Sequence, residues 1–149
     1  MGQTVLVVDD HPPTVDLIRD ALVPHGFEVV TAANGIQCLV AVDEQQPDLV
    51  ILDVSMPVLN GLDTLRLLRQ RLDDSNLPVI ILSGRDQFAD VRDGYRAGAD
   101  IYLTKPVRVG AVVAAVKWLL HTDGSGSQPA ADYQPGRTRL LSGIVGRDS

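Results

Sequence analysis

Three aliphatic runs in this chain end in groups able to hold a divalent cation and a phosphoryl group. Val5-Leu6-Val7-Val8 leads into Asp9-Asp10, Leu49-Val50-Ile51-Leu52 into Asp53, and Val79-Ile80-Ile81-Leu82 into Ser83. A further short run, Ile101-Tyr102-Leu103, precedes Lys105. Carboxylates brought close together repel unless one is protonated or a cation neutralises them. An oxygen-rich acidic site suits Mg²⁺, which commonly keeps several waters and takes one or two carboxylates plus a phosphate. A carboxylate held beside such a cation can itself attack phosphorus. A hydroxyl such as Ser83 and a compact cation such as Lys105 would then hold the phosphoryl oxygens. The set matches phosphoryl transfer to a carboxylate, where positioning and charge neutralisation carry most of the catalysis.

These groups meet only if the runs are parallel strands whose ends share one edge of a sheet. Runs this apolar and rich in β-branched residues read as strands covered on both faces. Strands are expected near Thr4 to Val8, Glu28 to Thr31, Leu49 to Leu52, Pro78 to Leu82 and Ile101 to Leu103. Segments of helical spacing lie between them. Val15, Ile18 and Leu22 share one face of the first, which Pro12-Pro13 opens and His25-Gly26 closes. Asn34 is a good cap for the second, with Gly35, Cys38, Leu39 and Val42 on its apolar face. Leu62, Leu65, Leu68 and Leu72 mark the third, Phe88, Val91 and Tyr95 the fourth, and Val109 to Leu120 the fifth. Five strand-helix units in this rhythm imply an α/β fold, a parallel sheet with helices on both faces.

The bulk composition narrows the partners. Of 149 residues, 45% are hydrophobic and only 4% aromatic, so the core should be aliphatic, and the net charge of −6 argues against a nucleic-acid surface. The single cysteine, Cys38, falls on an apolar helix face and fits a reducing compartment. Met1-Gly2-Gln3-Thr4 lacks the pattern of a secretory leader, and the apolar runs are too short to span a bilayer. A cytoplasmic protein without a membrane partner is expected. The folded unit is expected over residues 4–121. Residues 122–149 begin with the linker-like Gly124-Ser125-Gly126-Ser127-Gln128-Pro129 and contain no recognisable second domain. Arg137, Arg139 and Arg147 against Asp132 and Asp148 leave residues 124–149 slightly basic, so the acidity belongs to residues 1–123.

Four motifs in order resemble the receiver domain of two-component response regulators. They are Val5-Leu6-Val7-Val8-Asp9-Asp10; Leu52-Asp53-Val54-Ser55-Met56-Pro57 with Gly61; Ile81-Leu82-Ser83-Gly84; and Ala99-Asp100-Ile101-Tyr102-Leu103-Thr104-Lys105-Pro106. The resemblance runs from residue 4 to about 121. It implies a flavodoxin-like, doubly wound sheet of five parallel strands in the order 2-1-3-4-5, with five helices. It makes Asp53 the phosphoacceptor, with Asp10 and Asp53 as direct Mg²⁺ ligands, Asp9 acting mainly through metal-bound water and the Ser55 carbonyl completing the set. Ser83 and Lys105 would hold the phosphoryl group, Lys105-Pro106 would be cis, and Ser83 with Tyr102 would form the switch. The implied donor is a histidine kinase or phosphotransfer protein. Output would pass to an effector protein or a second copy through the face of helix 4, strand 5 and helix 5, without nucleic acid. The chain would not be an enzyme beyond self-phosphorylation from small donors and slow autodephosphorylation.

Two features depart from that pattern. The fifth helix carries one charge, with Gly110, Ala111, Ala114 and Trp118 where a polar face is expected. Ile101 stands where receivers often have an acid. Ile101 and Trp118 are therefore expected on an apolar contact surface, covered by a second copy, a partner or the tail's Leu140, Leu141, Ile144 and Val145. Ser55 and Arg85, two residues beyond Asp53 and Ser83, would govern water access to a phosphoryl group. Gly84 is expected to keep the approach open. The competing functions are a phosphatase with an aspartate nucleophile, which would want an acid where Ser55 stands, a docking module with a vestigial site, and a flavodoxin-like cofactor carrier, which would want a hydroxyl-rich phosphate loop after the first strand.

Overall fold

The structure, a computed structural model, describes residues 2–72, 76–84 and 88–120. Arg85 and the tail residues named above lie outside the described residues, as do the side chains of Leu72 and Phe88. Five strands alternate with five helices: β1 (Thr4–Val8), α1 (Pro12–Leu22), β2 (Glu28–Ala32), α2 (Gly35–Gln45), β3 (Leu49–Asp53), α3 (Gly61–Leu72), β4 (Val79–Ser83), α4 (Phe88–Ala97), β5 (Ile101–Thr104) and α5 (Val109–Leu120). All pairings are parallel, in the order β2-β1-β3-β4-β5. The alternation of apolar strands and amphipathic helices thus builds the doubly wound sheet that the motifs imply.

Local chemistry sets the helix ends. Pro12 and Pro13 occupy the first turn of α1, where the missing N–H groups leave no bond unmade. A short 3-10 turn over Val23–His25 follows α1, and Gly26 ends it with φ of 91°. The Asn34 side chain accepts a hydrogen bond from the Gln37 N–H at 2.9 Å and caps α2. Asn60 does the same for α3 through the Asp63 N–H at 2.9 Å.

Strand alternation divides the core in two. Leu6, Val8, Val50, Leu52, Val79 and Ile81 face one side and pack under Cys38, Leu39 and Val42 of α2, Leu65 and Leu68 of α3, and Ala97 of α4. Val5, Val7, Leu49, Ile51, Ile80, Leu82 and Ile101 face the other and pack under α1 and α5. Every residue of β3 and β4 is buried, which explains their uninterrupted apolar runs.

The expected placement of Ile101 on a contact surface is corrected by this alternation. Ile101 is 1% exposed in the core beneath α5, and its neighbour Tyr102 takes the opposite face. Alternation puts residue 101 inward once α5 lies across that side of β5. The apolar character of α5 has the same origin. Ala111, Val112, Ala115 and Val116 are buried, and Ala111 therefore leaves the expected outer face. Ala114 and Trp118 are half-buried against the same core, while Gly110 is exposed.

A polar clamp closes the end of the sheet remote from the carboxylates. Arg69 of α3 donates to the Leu77 carbonyl at 2.7 Å and to the Gly98 carbonyl at 2.6 Å. It also lies 3.4 Å from Asp100, whose Oδ2 accepts the Val79 N–H at 2.9 Å. One guanidinium thus ties α3 to the entries of β4 and β5. Removing it takes a cation away from a mostly buried carboxylate and from two backbone carbonyls, and such losses are large. Arg69→Ala should lower the unfolding free energy by about 3 kcal/mol in urea titrations; a loss below about 1 kcal/mol would show the clamp to be incidental.

Candidate functional site

The strand order creates the site. The chain leaves β1 towards β2 on one side and returns to β3 on the other, so the loops after β1 and β3 diverge and leave a crevice at the strand ends. Val8 pairs with Leu52, which brings Asp9 beside Asp53. Carboxylate oxygens of Asp9, Asp10 and Asp53 all lie within 4.8 Å of one another. Asp9 and Asp53 are buried at 4% and 3% exposure, whereas Asp10 is open to solvent. The Asp9 carboxylate is oriented by its own turn, accepting the His11 N–H at 3.0 Å.

Lys105 completes the cluster from the far end of the sequence. The Lys105 N–H donates to the Ser83 carbonyl at 2.6 Å, continuing the β4–β5 ladder into the loop. Its ammonium Nζ then reaches Asp9 Oδ2 and Asp53 Oδ1, each at 3.2 Å. The Lys105-Pro106 bond is cis, as expected. Ser83 is 1% exposed at the end of β4, next to β3 in the sheet.

One ammonium does not balance three carboxylates. Burial, and then the Asp9 charge, push the Asp53 carboxyl up to about 6 despite the neighbouring Lys105. Burial tends to lower the Lys105 pKa, but the charges of Asp53 and Asp9 outweigh it and raise the value. The residual negative charge, with oxygen donors converging from two strand ends, fits a hard dication held by Asp9, Asp10 and Asp53.

The loop after Asp53 is tightly constrained. A Cβ on Gly61 would collide with the Asp53 carbonyl, and the Gly61 N–H donates to the Val54 carbonyl at 2.9 Å. Val58 sits at φ of 72° with 79% exposure, a left-handed conformation rare for a β-branched residue. The Leu59 N–H closes the turn around it onto the Pro57 carbonyl at 2.7 Å. Ser55 is exposed at the start of this loop, two residues beyond Asp53.

The other residues singled out from sequence are distributed as follows. Tyr102 is half-buried against α4, on the sheet face shared with Ile81, and is not part of the acidic cluster. Trp118 lies on α5, on the opposite face of the sheet. Among the described residues nothing lies within 4 Å of a Cβ built on Gly84. Two features were not anticipated: the direct Lys105–Asp9 ion pair, which joins positions 96 apart in sequence, and the requirement for glycine at 61. The Gly61 requirement had a signal in the sequence, a glycine at the mouth of a predicted helix just after a carboxylate-bearing strand.

Asp53 supplies a pH signature. Its folded-state pKa of about 6 lies above the ordinary 3.8, so the folded protein binds the proton more tightly. The contribution of this group to stability is greatest below pH 4 and is lost as pH rises through 6. In divalent-free buffer, the stability of Asp53→Asn relative to the parent should rise by about 2 kcal/mol between pH 4.5 and 7.5. A pH-independent difference in urea titrations would contradict the crowding described.

Comparison with known proteins agrees with this geometry. The response regulator receiver domain family matches residues 5–117. The chain is 40% identical to the transcriptional regulatory protein PrrA of Mycobacterium tuberculosis, over 94% of this chain and 63% of that protein. It is 39% identical to the DNA-binding response regulator MtrA of Mycolicibacterium smegmatis, over 78% of this chain and 50% of that protein. The chain thus spans between half and two thirds of the length of these relatives. Among solved structures, the receiver domain of the Francisella response regulator 1452 superposes with a TM-score of 0.76 at 30% identity, covering 82% of this chain and 99% of that one. The beryllofluoride-activated DrrB receiver domain gives 0.73 at 30% identity, covering 81% and 99%. With the acidic crevice, the strand order and the family match in agreement, the chain belongs to the response regulator receiver domains of two-component systems.

Proposed function

We propose that this chain is a phosphorylation switch in which Asp53 accepts a phosphoryl group from the phosphohistidine of a histidine kinase or phosphotransfer protein. One observation carries the proposal: Asp53 stands at the sheet crevice with Asp9 and Asp10 oxygens within 4.8 Å and the Lys105 ammonium 3.2 Å away. A carboxylate oxygen of Asp53 forms the new bond to phosphorus as the phosphorus–nitrogen bond of the donor breaks, and the electron pair leaves with the imidazole. Lys105 then bonds a phosphoryl oxygen as the charge on Asp53 is shared with the incoming group, and the Ser83 hydroxyl donates to another. Asp9, Asp10, Asp53 and the Ser55 carbonyl would hold Mg²⁺, which supplies charge neutralisation across the transferring group.

Turnover of external phosphoesters is not proposed, because Ser55 stands where such an enzyme would use a general acid. Self-phosphorylation from small donors and slow loss of the group are the expected chemistry. Output is proposed through protein contact at the face of α4, β5 and α5, reaching an effector or a second copy. Tyr102 on β5 connects that face to Ser83. PrrA is named a transcriptional regulator and MtrA a DNA-binding one, over chains longer than this one. The net charge of −6 favours a protein target over nucleic acid here. No helix among the described residues is long and apolar enough to cross a membrane, and a cytoplasmic site of action is proposed.

Intact-mass measurement after incubation with Mg²⁺ and acetyl phosphate tests the proposal. The parent should gain one phosphoryl group and Asp53→Asn none. Lys105→Ala should gain it at least about tenfold more slowly, since it lacks the cation placed on the reacting oxygens. An unmodified parent, or equal modification of Asp53→Asn, would contradict it.

A further inference from the structure

Glycine is a poor occupant of a helix interior, where alanine is much better tolerated. Gly94 nevertheless lies inside α4, buried, and nothing in the helix itself demands it. The reason is on the neighbouring strand. A Cβ built on Gly94 would lie 2.7 Å from Cδ2 and 3.0 Å from Cε2 of Tyr102. The ring of Tyr102 therefore occupies a notch in α4 that only a glycine leaves open. The next helix residue holds the same strand position by its backbone: the Tyr95 hydroxyl accepts the Tyr102 N–H at 3.0 Å. Position 102 is thus held by ring and by backbone to two consecutive residues of α4.

This seat is tied to the site by strand geometry. Tyr102 pairs with Ile81 and Thr104 with Ser83, so Tyr102 and Ser83 are diagonal neighbours on one face of the β4–β5 ladder. We propose that Gly94 is a positioning residue of the switch, the notch that holds Tyr102 against α4 when the Ser83 hydroxyl is not drawn to a phosphoryl group. The proposal rests on the phosphorylation switch described above and adds the residue that sets its resting position. When Ser83 moves towards the phosphoryl oxygens it vacates room beside Tyr102, and the ring leaves the notch to fill it. A group that empties the notch in the absence of phosphoryl must, by reciprocity of coupled equilibria, favour the phosphorylated form.

Gly94→Ala supplies that group with a single methyl. Its thermal midpoint should stay at or above the parent value, because alanine suits the helix, and the Tyr102 ring proton resonances should shift. The acetyl phosphate concentration for half-modification of Asp53 should fall by about fivefold or more. The effect should vanish when Gly94→Ala is placed in a Tyr102→Leu background, which separates the notch from any general change in α4. No change in the half-modification point, a rise in it, or an equal fall in the Tyr102→Leu background would overturn the proposal. Failure of the parent itself to accept a phosphoryl group would instead refute the underlying switch. A parent that accepts normally while Gly94→Ala matches it would refute the notch alone.

Discussion

The contact of Lys105 with both Asp9 and Asp53, at 3.2 Å each, is the interaction on which the site depends. It joins the ends of β1 and β3 to the loop after β5 and is the only cation in the described structure placed on the three-carboxylate cluster. It is also insufficient. Asp53 stays hard to ionise with Lys105 in place, because burial and the Asp9 charge together outweigh it. The folded protein therefore carries an electrostatic imbalance at the one point where incoming positive charge and phosphoryl oxygens can relieve it. Natural domains seldom retain such crowding where it serves only stability, since paired or apolar alternatives cost less.

The sheet keeps this imbalance in register. Two cores of aliphatic side chains hold β3 and β4 on both faces, so the strand ends cannot drift apart. Gly61 lets the chain fold back against the Asp53 carbonyl, and the Arg69 clamp fixes the opposite ends of β4 and β5. Tyr102 lies between the two ends on the face that packs against α4.

Much of this was legible in the residues. The strand ends at Asp9, Asp53 and Ser83, the Asn34 cap and the span of α5 follow from local pattern, because apolar periodicity and capping are local physics. The adjacency of β1 and β3 is not local and came only with the receiver resemblance. Ile101 was misplaced for the same reason. The face of an edge strand that is covered depends on where α5 lies across the sheet, and no short-range signal carries that. Ala111 reads as exposed in sequence because its cover, the second core with α1, is assembled from distant segments. The Lys105–Asp9 pair, the Arg69–Asp100 clamp and the fit of Tyr102 to Gly94 are likewise tertiary. Of these only Gly94 left a trace in the sequence, a glycine inside a helical pattern.

The central claim is that Asp9, Asp10 and Asp53 form one charge-crowded cluster that a divalent cation completes. Calorimetric titration of Mg²⁺ into the parent, Asp9→Asn and Asp53→Asn tests it most directly. The parent should bind Mg²⁺, and each variant should bind it about tenfold or more weakly, because each removes one of the converging carboxylates. Equal affinity in all three proteins would show that the cluster is not a cation site.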